Sequence, residues 1–586
     1  MARIEDYALI GDLQTAALVG RNGSIDWLCF PRFDSGACFA ALLGDVDNGR
    51  WLVAPSHGGT PTRRYRGDTL VLETTWETED GAVRVVDFMP PRGKAPDVVR
   101  IVEGVRGRVE MRSELVVRFD YGHVVPWMRR VDGARSAVAG PDALCFRTPV
   151  RARGENMRTV STFAVEEGER LPFVLTWYPS HGDLPKAIDP EQALADTEEF
   201  WSGWSGRCCA EVPEEWREVL QRSLIVLKAL TYEPTGGIVA AATTSLPERV
   251  GGVRNWDYRY CWLRDATLTL LALLHAEHAD EAAAWRLWLL RAVAGDPADI
   301  QIMYGVGGER RLTELELPWL SGYEGSAPVR IGNAASEQLQ IDVFGEVMDA
   351  LYQARAHGLP FTFSKEAWAL QKTLLEYLEG AWRQPDEGIW EIRAVRRHFV
   401  HSKVMAWVAF DRAVRTVETQ GLEGSLERWR EIRDEIHADV CEHGYDDALG
   451  SFTQSYGSKE LDASLLLIPL VGFLPASDDR VRRTVEAIER ELVADGFVLR
   501  YRTEASVDGL PAGEGVFLPC SFWLVDCLEL LGRREDAHAL FTRLVSVAND
   551  VGLLAEEYDV TTKTQLGNFP QAFSHVGQIW TAALLA

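Results

Sequence analysis

Glu214-Glu-Trp216-Arg-Glu-Val219-Leu220-Gln-Arg-Ser-Leu224-Ile-Val-Leu227-Lys228 marks the point where the chain changes its period. Trp216, Val219, Leu220, Leu224 and Leu227 fall on one face of a helix. Residues 1–189, by contrast, read as strand and turn. Thr69 to Trp76 leads through Glu79-Asp80-Gly81 into Ala82 to Asp87, a hairpin signal, and Val109–Phe119 and Arg158–Val165 alternate in the same manner. Many short strands with Gly and Asp turns predict an antiparallel β-sandwich over residues 1–189. After it, 214–586 carries about twelve helical stretches with long Gly- and Pro-bearing connections and no fixed-period repeat. That pattern predicts a closed ring of paired helices with its loops gathered into a site at one end. Residues 190–213 read as a linker, with a helix at Pro190–Trp201.

The chain has 586 residues, 46% of them hydrophobic, which suffices for two cores. A net charge of −26 argues against nucleic acid or an anionic membrane as partner and suits a small neutral ligand. The N-terminus lacks the apolar core of a signal peptide, and the longest apolar run, around Leu465–Leu474, is too short to span a bilayer. Nine cysteines, with Cys208 and Cys209 adjacent, show no metal-type spacing and read as reduced, consistent with a cytoplasmic location. Subunit number is left open, and a homo-oligomer is compatible with the sequence.

Chemistry concentrates in Trp256-Asp-Tyr258-Arg-Tyr-Cys-Trp262-Leu-Arg264-Asp265, where four aromatic rings, two arginines and two aspartates share ten residues. Rings that stack on the C–H faces of a sugar, beside groups that fork onto its hydroxyls, fit a saccharide pocket; a structural Arg–Asp pair is the plainer alternative. Glu391 follows Trp390 in a loop, an apolar neighbour expected to keep the carboxyl protonated as a general acid. Glu556, Glu557 and Asp559 follow Leu553-Leu-Ala, and one of these carboxylates could activate a water. The loops carrying Tyr323 and Asn333 add aromatic and hydrogen-bonding groups. No phosphate loop or serine elbow is present. An acid, a base and sugar-holding side chains compose a glycosidase hypothesis.

These motifs, with Ile4-Glu-Asp-Tyr-Ala-Leu-Ile-Gly-Asp12 and Gly23-Ser-Ile-Asp-Trp-Leu-Cys-Phe-Pro-Arg-Phe-Asp-Ser35, resemble glycoside hydrolase family 15 of glucoamylases and bacterial trehalase-like proteins, over nearly the whole chain. The resemblance implies a β-sandwich before an (α/α)6 barrel. It implies that Arg264 and Asp265 bind the glucose, that Tyr258 and Trp262 line the site with Trp390, and that Arg500 adds a further sugar-binding group. It implies Glu391 as acid and Glu556 as base, although Glu557 stands where the family commonly has Gln. The implied reaction is exo-acting hydrolysis of an α-glucoside with inversion, releasing β-glucose, with the carboxyls roughly 6.5–9.5 Å apart. Trehalose is the first substrate, short α-gluco-oligosaccharides the alternative. An inverting phosphorylase or a dead sugar-binding protein comes second. No metal or cofactor is required, with phosphate or Mg²⁺ dependence left open.

Overall fold

The computed structural model describes residues 2–208, 212–359, 364–503 and 508–586. Residues 209–211 of the 190–213 stretch, Cys209 among them, therefore lie outside the described residues. Up to Pro179 the chain is antiparallel sheet. Its organising element is the 20-residue strand Asp97–Val116. The first half pairs with Gly81–Phe88 and Arg170–Pro179, the second with Arg50–Pro55 and Arg158–Glu166, so one strand serves both layers. The crossing lies at Gly104–Gly107. A Cβ at Gly104 would stand 1.9 Å from the Glu166 carbonyl oxygen, and Gly107 has φ +69°. The hairpin forms as read, with Leu72 opposite Asp87 and Thr78 opposite Gly81. Trp51, Phe146 and Phe173 pack in the interior between the layers.

Helix Pro190–Ser205 follows, capped by Asp189 with a proline in its first turn. The remainder is a double ring. Six inner segments meet in circular order: Ala266–His275, Asp342–Ala356, Val400–Gln420, the turn-helix Ala463–Leu470, Leu518–Leu530 and Ala572–Leu584. Six outer helices back them: Glu214–Ala229, Ala279–Ala292, Lys365–Ala381, Leu426–His443, Asp479–Glu491 and Arg534–Val545. Composition decides which ring a helix joins. Leu518–Leu528 is buried on every side, whereas Asp479–Glu491 buries Val481, Val485 and Ile488 and turns its charges to solvent. The chain thus has the expected antiparallel β domain followed by an (α/α)6 toroid.

Ala334–Glu337 is a separate 3-10 turn closed by the Gln338 N–H on the Ala335 carbonyl, ahead of helix Asp342–Ala356. The eight described cysteines are free thiols. Among the described residues no helix is long and apolar enough to cross a membrane.

Candidate active site

The loops at one mouth of the toroid bring the motifs together. Tyr258, Trp390, Glu391, Asn333 and Arg500 line one cavity, joined by Trp256 and Arg393. Trp262, Arg264 and Glu556 stand behind that wall, each tied to a group on it, and Asp265 is held in turn by Arg264.

Glu391 sits in a turn closed by its own N–H to the Gly388 carbonyl, with φ +50°. A non-glycine residue in this left-handed region carries backbone strain of the kind found where geometry serves a site. Its Oε1 accepts two hydrogen bonds, from Trp262 Nε1 at 3.0 Å and Arg264 Nη1 at 3.0 Å. Arg264 also reaches the Ile389 carbonyl (3.2 Å) and, through Nε, Asp265 Oδ1 (3.0 Å). Burial works against the Arg264 charge, but Asp265 and Glu391 more than offset it and hold its pKa above the ordinary range. Burial raises the Asp265 carboxyl, against the pull of Arg264. Tyr258 and Trp262 meet edge to face at 5.0 Å.

Trp390 does not supply the environment its place in the sequence suggests for Glu391. The turn sends its indole to Asp462, where Nε1 donates to both carboxylate oxygens at 2.9 and 3.0 Å, and packs the ring against Phe517 and Trp523. The indole that reaches Glu391 belongs to Trp262.

Glu556 and Glu557 diverge. Glu557 begins a strand that pairs with Val516–Phe517, and its carboxylate accepts from Gly515 N (2.8 Å) and Arg500 Nη2 (3.0 Å). Glu556 turns the other way. Its Oε2 accepts from Asn568 N at 3.1 Å, and the Tyr258 phenol lies beside the carboxylate. Only glycine fits behind it: a Cβ on Gly567, at φ +73°, would come within 2.5 Å of Glu556 Oε2. Burial, reinforced by Glu248 and opposed by Arg500, pushes Glu556 up to about 8. The Tyr258 phenol is raised by burial and then by the charges of Glu556, Glu248 and Glu391, so both candidate catalytic carboxylates are within electrostatic reach of it.

Arg500 lies on the cavity wall, but its donors are largely committed to protein. Nη2 donates to Glu248 (2.9 Å), Glu514 (2.8 Å) and Glu557 (3.0 Å), and Nε to Glu514 (3.0 Å). The oxygens of these three acids lie within 4.8 Å of one another, a spacing that would suit a metal ion. The guanidinium already supplies their positive charge, so the donor set does not fit a divalent cation without displacing Arg500. Asn333 spends its side chain on Ala335 N (3.0 Å) and the Asp257 carbonyl (3.4 Å). Tyr323 is a correction: its hydroxyl donates to the Ala2 carbonyl at 3.3 Å, against the N-terminal domain, and it does not line the cavity.

Glu248, Glu514, Arg254 and Asn568 join the site without any signal in their local sequence. The Trp256 ring at the cavity wall is covered by two guanidiniums, Arg330 at 4.6 Å and Arg393 at 4.1 Å from its centroid.

Comparison with known proteins agrees with this geometry. Residues 214–583 match the model of glycosyl hydrolases family 15, and residues 1–175 match a trehalase-like N-terminal domain. A trehalase of Mycobacterium tuberculosis is 40% identical over 612 residues, covering 98% of this chain and 88% of the relative. A trehalase of Thermoplasma volcanium is 34% identical, covering 100% of this chain and 93% of the relative. A bacterial glucoamylase solved with acarbose shares the fold, with a TM-score of 0.74 at 12% identity over 99% of this chain and 94% of that one. The chain belongs to glycosyl hydrolases family 15.

Proposed function

We propose that the protein is a trehalase that hydrolyses trehalose with inversion and releases one β-glucose and one α-glucose. The observation that carries this reading is that Glu391 and Glu556, two carboxylates on separate loops, both lie within electrostatic reach of Tyr258. Supporting the substrate are relatives named trehalase that align over 98–100% of this chain.

In this reading Glu391 protonates the glycosidic oxygen as the bond to the anomeric carbon breaks. Glu556 takes a proton from the water that attacks that carbon from the opposite face. Arg264 and Asp265 hold hydroxyls of the glucose being cleaved, and Arg264 together with Trp262 fixes the acid's Oε1, leaving Oε2 to face the substrate. Tyr258, kept neutral by burial and by its acidic neighbours, orients the water. Burial of Glu556 makes it a stronger base than an exposed carboxylate, as proton abstraction from water requires. A phosphorylase would need no such base. The reaction needs no metal or cofactor.

The test is incubation with trehalose, maltose or isomaltose, following the anomers of released glucose by NMR. Equal α- and β-glucose from trehalose alone, lost in Glu556→Gln, is expected. β-Glucose from maltose or isomaltose but not trehalose would replace the substrate. Turnover that needs inorganic phosphate and yields a sugar phosphate would replace the reaction.

A further inference from the structure

The wall that carries Tyr258 is held from outside the toroid. Arg259, the next residue, is 1% exposed and points away from the cavity. It forks onto Asp257 through Nε (2.9 Å) and Nη2 (2.6 Å). Its Nη1 leaves the toroid altogether and donates to carbonyls of the N-terminal domain, Ser35 at 2.9 Å and Phe33 at 3.4 Å. Its guanidinium faces the Tyr121 ring of the same domain at 5.3 Å. Asp257 passes the constraint on, because its Oδ2 also accepts from Gly332 N (3.0 Å), next to Asn333 on the cavity wall.

A second link reaches the same tyrosine from its other side. Trp27 of the β domain donates Nε1 to the Ala242 carbonyl (2.8 Å). The adjacent Ala241 N–H donates to the Tyr258 carbonyl (2.9 Å), and Thr243 Oγ1 donates to Asn568 Oδ1 (2.9 Å). Asn568 is the residue whose N–H holds Glu556. Both links therefore start in one segment of the β domain, residues 27–35. One ends on Tyr258 and the other on Tyr258 and Glu556.

We infer that Arg259 is a positioning residue for the reaction, and that through it and Trp27 the N-terminal β domain sets the relative placement of Tyr258 and Glu556. A guanidinium is required because three directions must be satisfied at once: two Asp257 oxygens in one plane and a carbonyl of the other domain. A lysine ammonium can keep the charge without holding the fork. The inference rests on hydrolysis of trehalose at this site. A wild-type protein without turnover would defeat that reading and leave this one without an object.

The test compares Arg259→Lys with Arg222→Lys, both in the full chain. Arg222 also crosses to the β domain, donating to the Thr69 carbonyl at 2.8 Å, but from an outer helix with no link to Tyr258. Both variants lower the melting temperature. Only Arg259→Lys is expected to lower kcat per folded molecule, by about 10²-fold, the scale of a catalytic group displaced by an ångström. Its KM should stay within about threefold, and the acid limb of its pH–rate profile should shift as Tyr258 moves relative to Glu556. Trp27→Phe removes the second link while keeping an aromatic ring in place, and is expected to shift kcat and the acid limb in the same direction, by a smaller amount. It keeps the test decisive if Arg259→Lys fails to fold. Unchanged kcat and pH profile per folded molecule in both Trp27→Phe and any folded Arg259→Lys would reduce the interface to a structural one and overturn the inference.

Discussion

Arg264 Nη1 stands 3.0 Å from Glu391 Oε1 and so ties the Arg264–Asp265 pair to the candidate acid. One guanidinium thus does two tasks, holding Asp265 through Nε and the Glu391 carboxyl through Nη1. Arg264→Lys keeps the charge and loses the second direction. We expect kcat/KM for trehalose to fall by about 10²-fold or more, equivalent to about 3 kcal/mol. Trp262→Phe removes only the other donor to that oxygen, and should cost about tenfold, or about 1.4 kcal/mol. Steady-state kinetics decide the point, and equal losses in the two variants would contradict the geometry.

Glu556 and Glu557 are neighbours in sequence with different partners, Asn568 N for the one and Gly515 N and Arg500 for the other. Glu556→Gln removes the proton acceptor and leaves a side chain of the same shape, so kcat is expected to fall by 10²–10⁴-fold with the fold intact. Glu557→Gln instead takes a carboxylate from Arg500, leaving Glu248 and Glu514 to pair it. Its expected signature is a stability loss of about 1.5–3 kcal/mol, the worth of a hydrogen bond to a charged group. Its kcat should remain within about tenfold of wild type, because Arg500 keeps two partners. Denaturation and kinetics on both variants check this. A Glu557→Gln that folds normally and is dead would exchange the assignments.

What was readable in the chain was what is local in it. Tyr258, Trp262, Arg264 and Asp265 sit within eight residues, and their convergence follows from one loop entering one helix. The division between the two domains is equally visible, because strand alternation gives way to the 3.6-residue period at Trp216. The choice between Glu556 and Glu557 could not be read locally. It depends on the pairing of Glu557 with Phe517, a contact 40 positions away in sequence. The partners of Arg500 are harder still, since Glu248 lies 252 positions from it. Adjacency misled at Trp390, where a turn carries the ring to Asp462 instead of Glu391. Composition misled at Tyr323, since a Gly-rich aromatic loop does not say which wall it lines.

Tyr323→Phe separates these two kinds of evidence. The phenol makes its hydrogen bond to the Ala2 carbonyl and reaches nothing in the cavity. Its loss should cost about 1 kcal/mol of stability or less, with kcat and KM for trehalose unchanged. A raised KM would return Tyr323 to the sugar site.

The acidity of Glu556 gives stability and activity opposite slopes. As a base it works ionised, so kcat/KM should rise with pH toward the region of 8, its raised value in the folded protein, and fall on the acid side. In the unfolded chain the same carboxyl titrates near about 4.3. Between that value and 8 the folded protein holds a proton that the unfolded chain has released. Folding is therefore weakened as pH rises through this window, and the cost is complete above 8. Glu556→Gln cannot titrate and escapes it. The melting temperature of Glu556→Gln minus that of wild type should grow steadily from pH 5 to pH 8, while the variant stays catalytically poor throughout. Calorimetry at several pH values measures the difference. A difference that is flat with pH would mean that Glu556 is already ionised in the folded protein at pH 5, and the acid limb of activity would then have to come from another group.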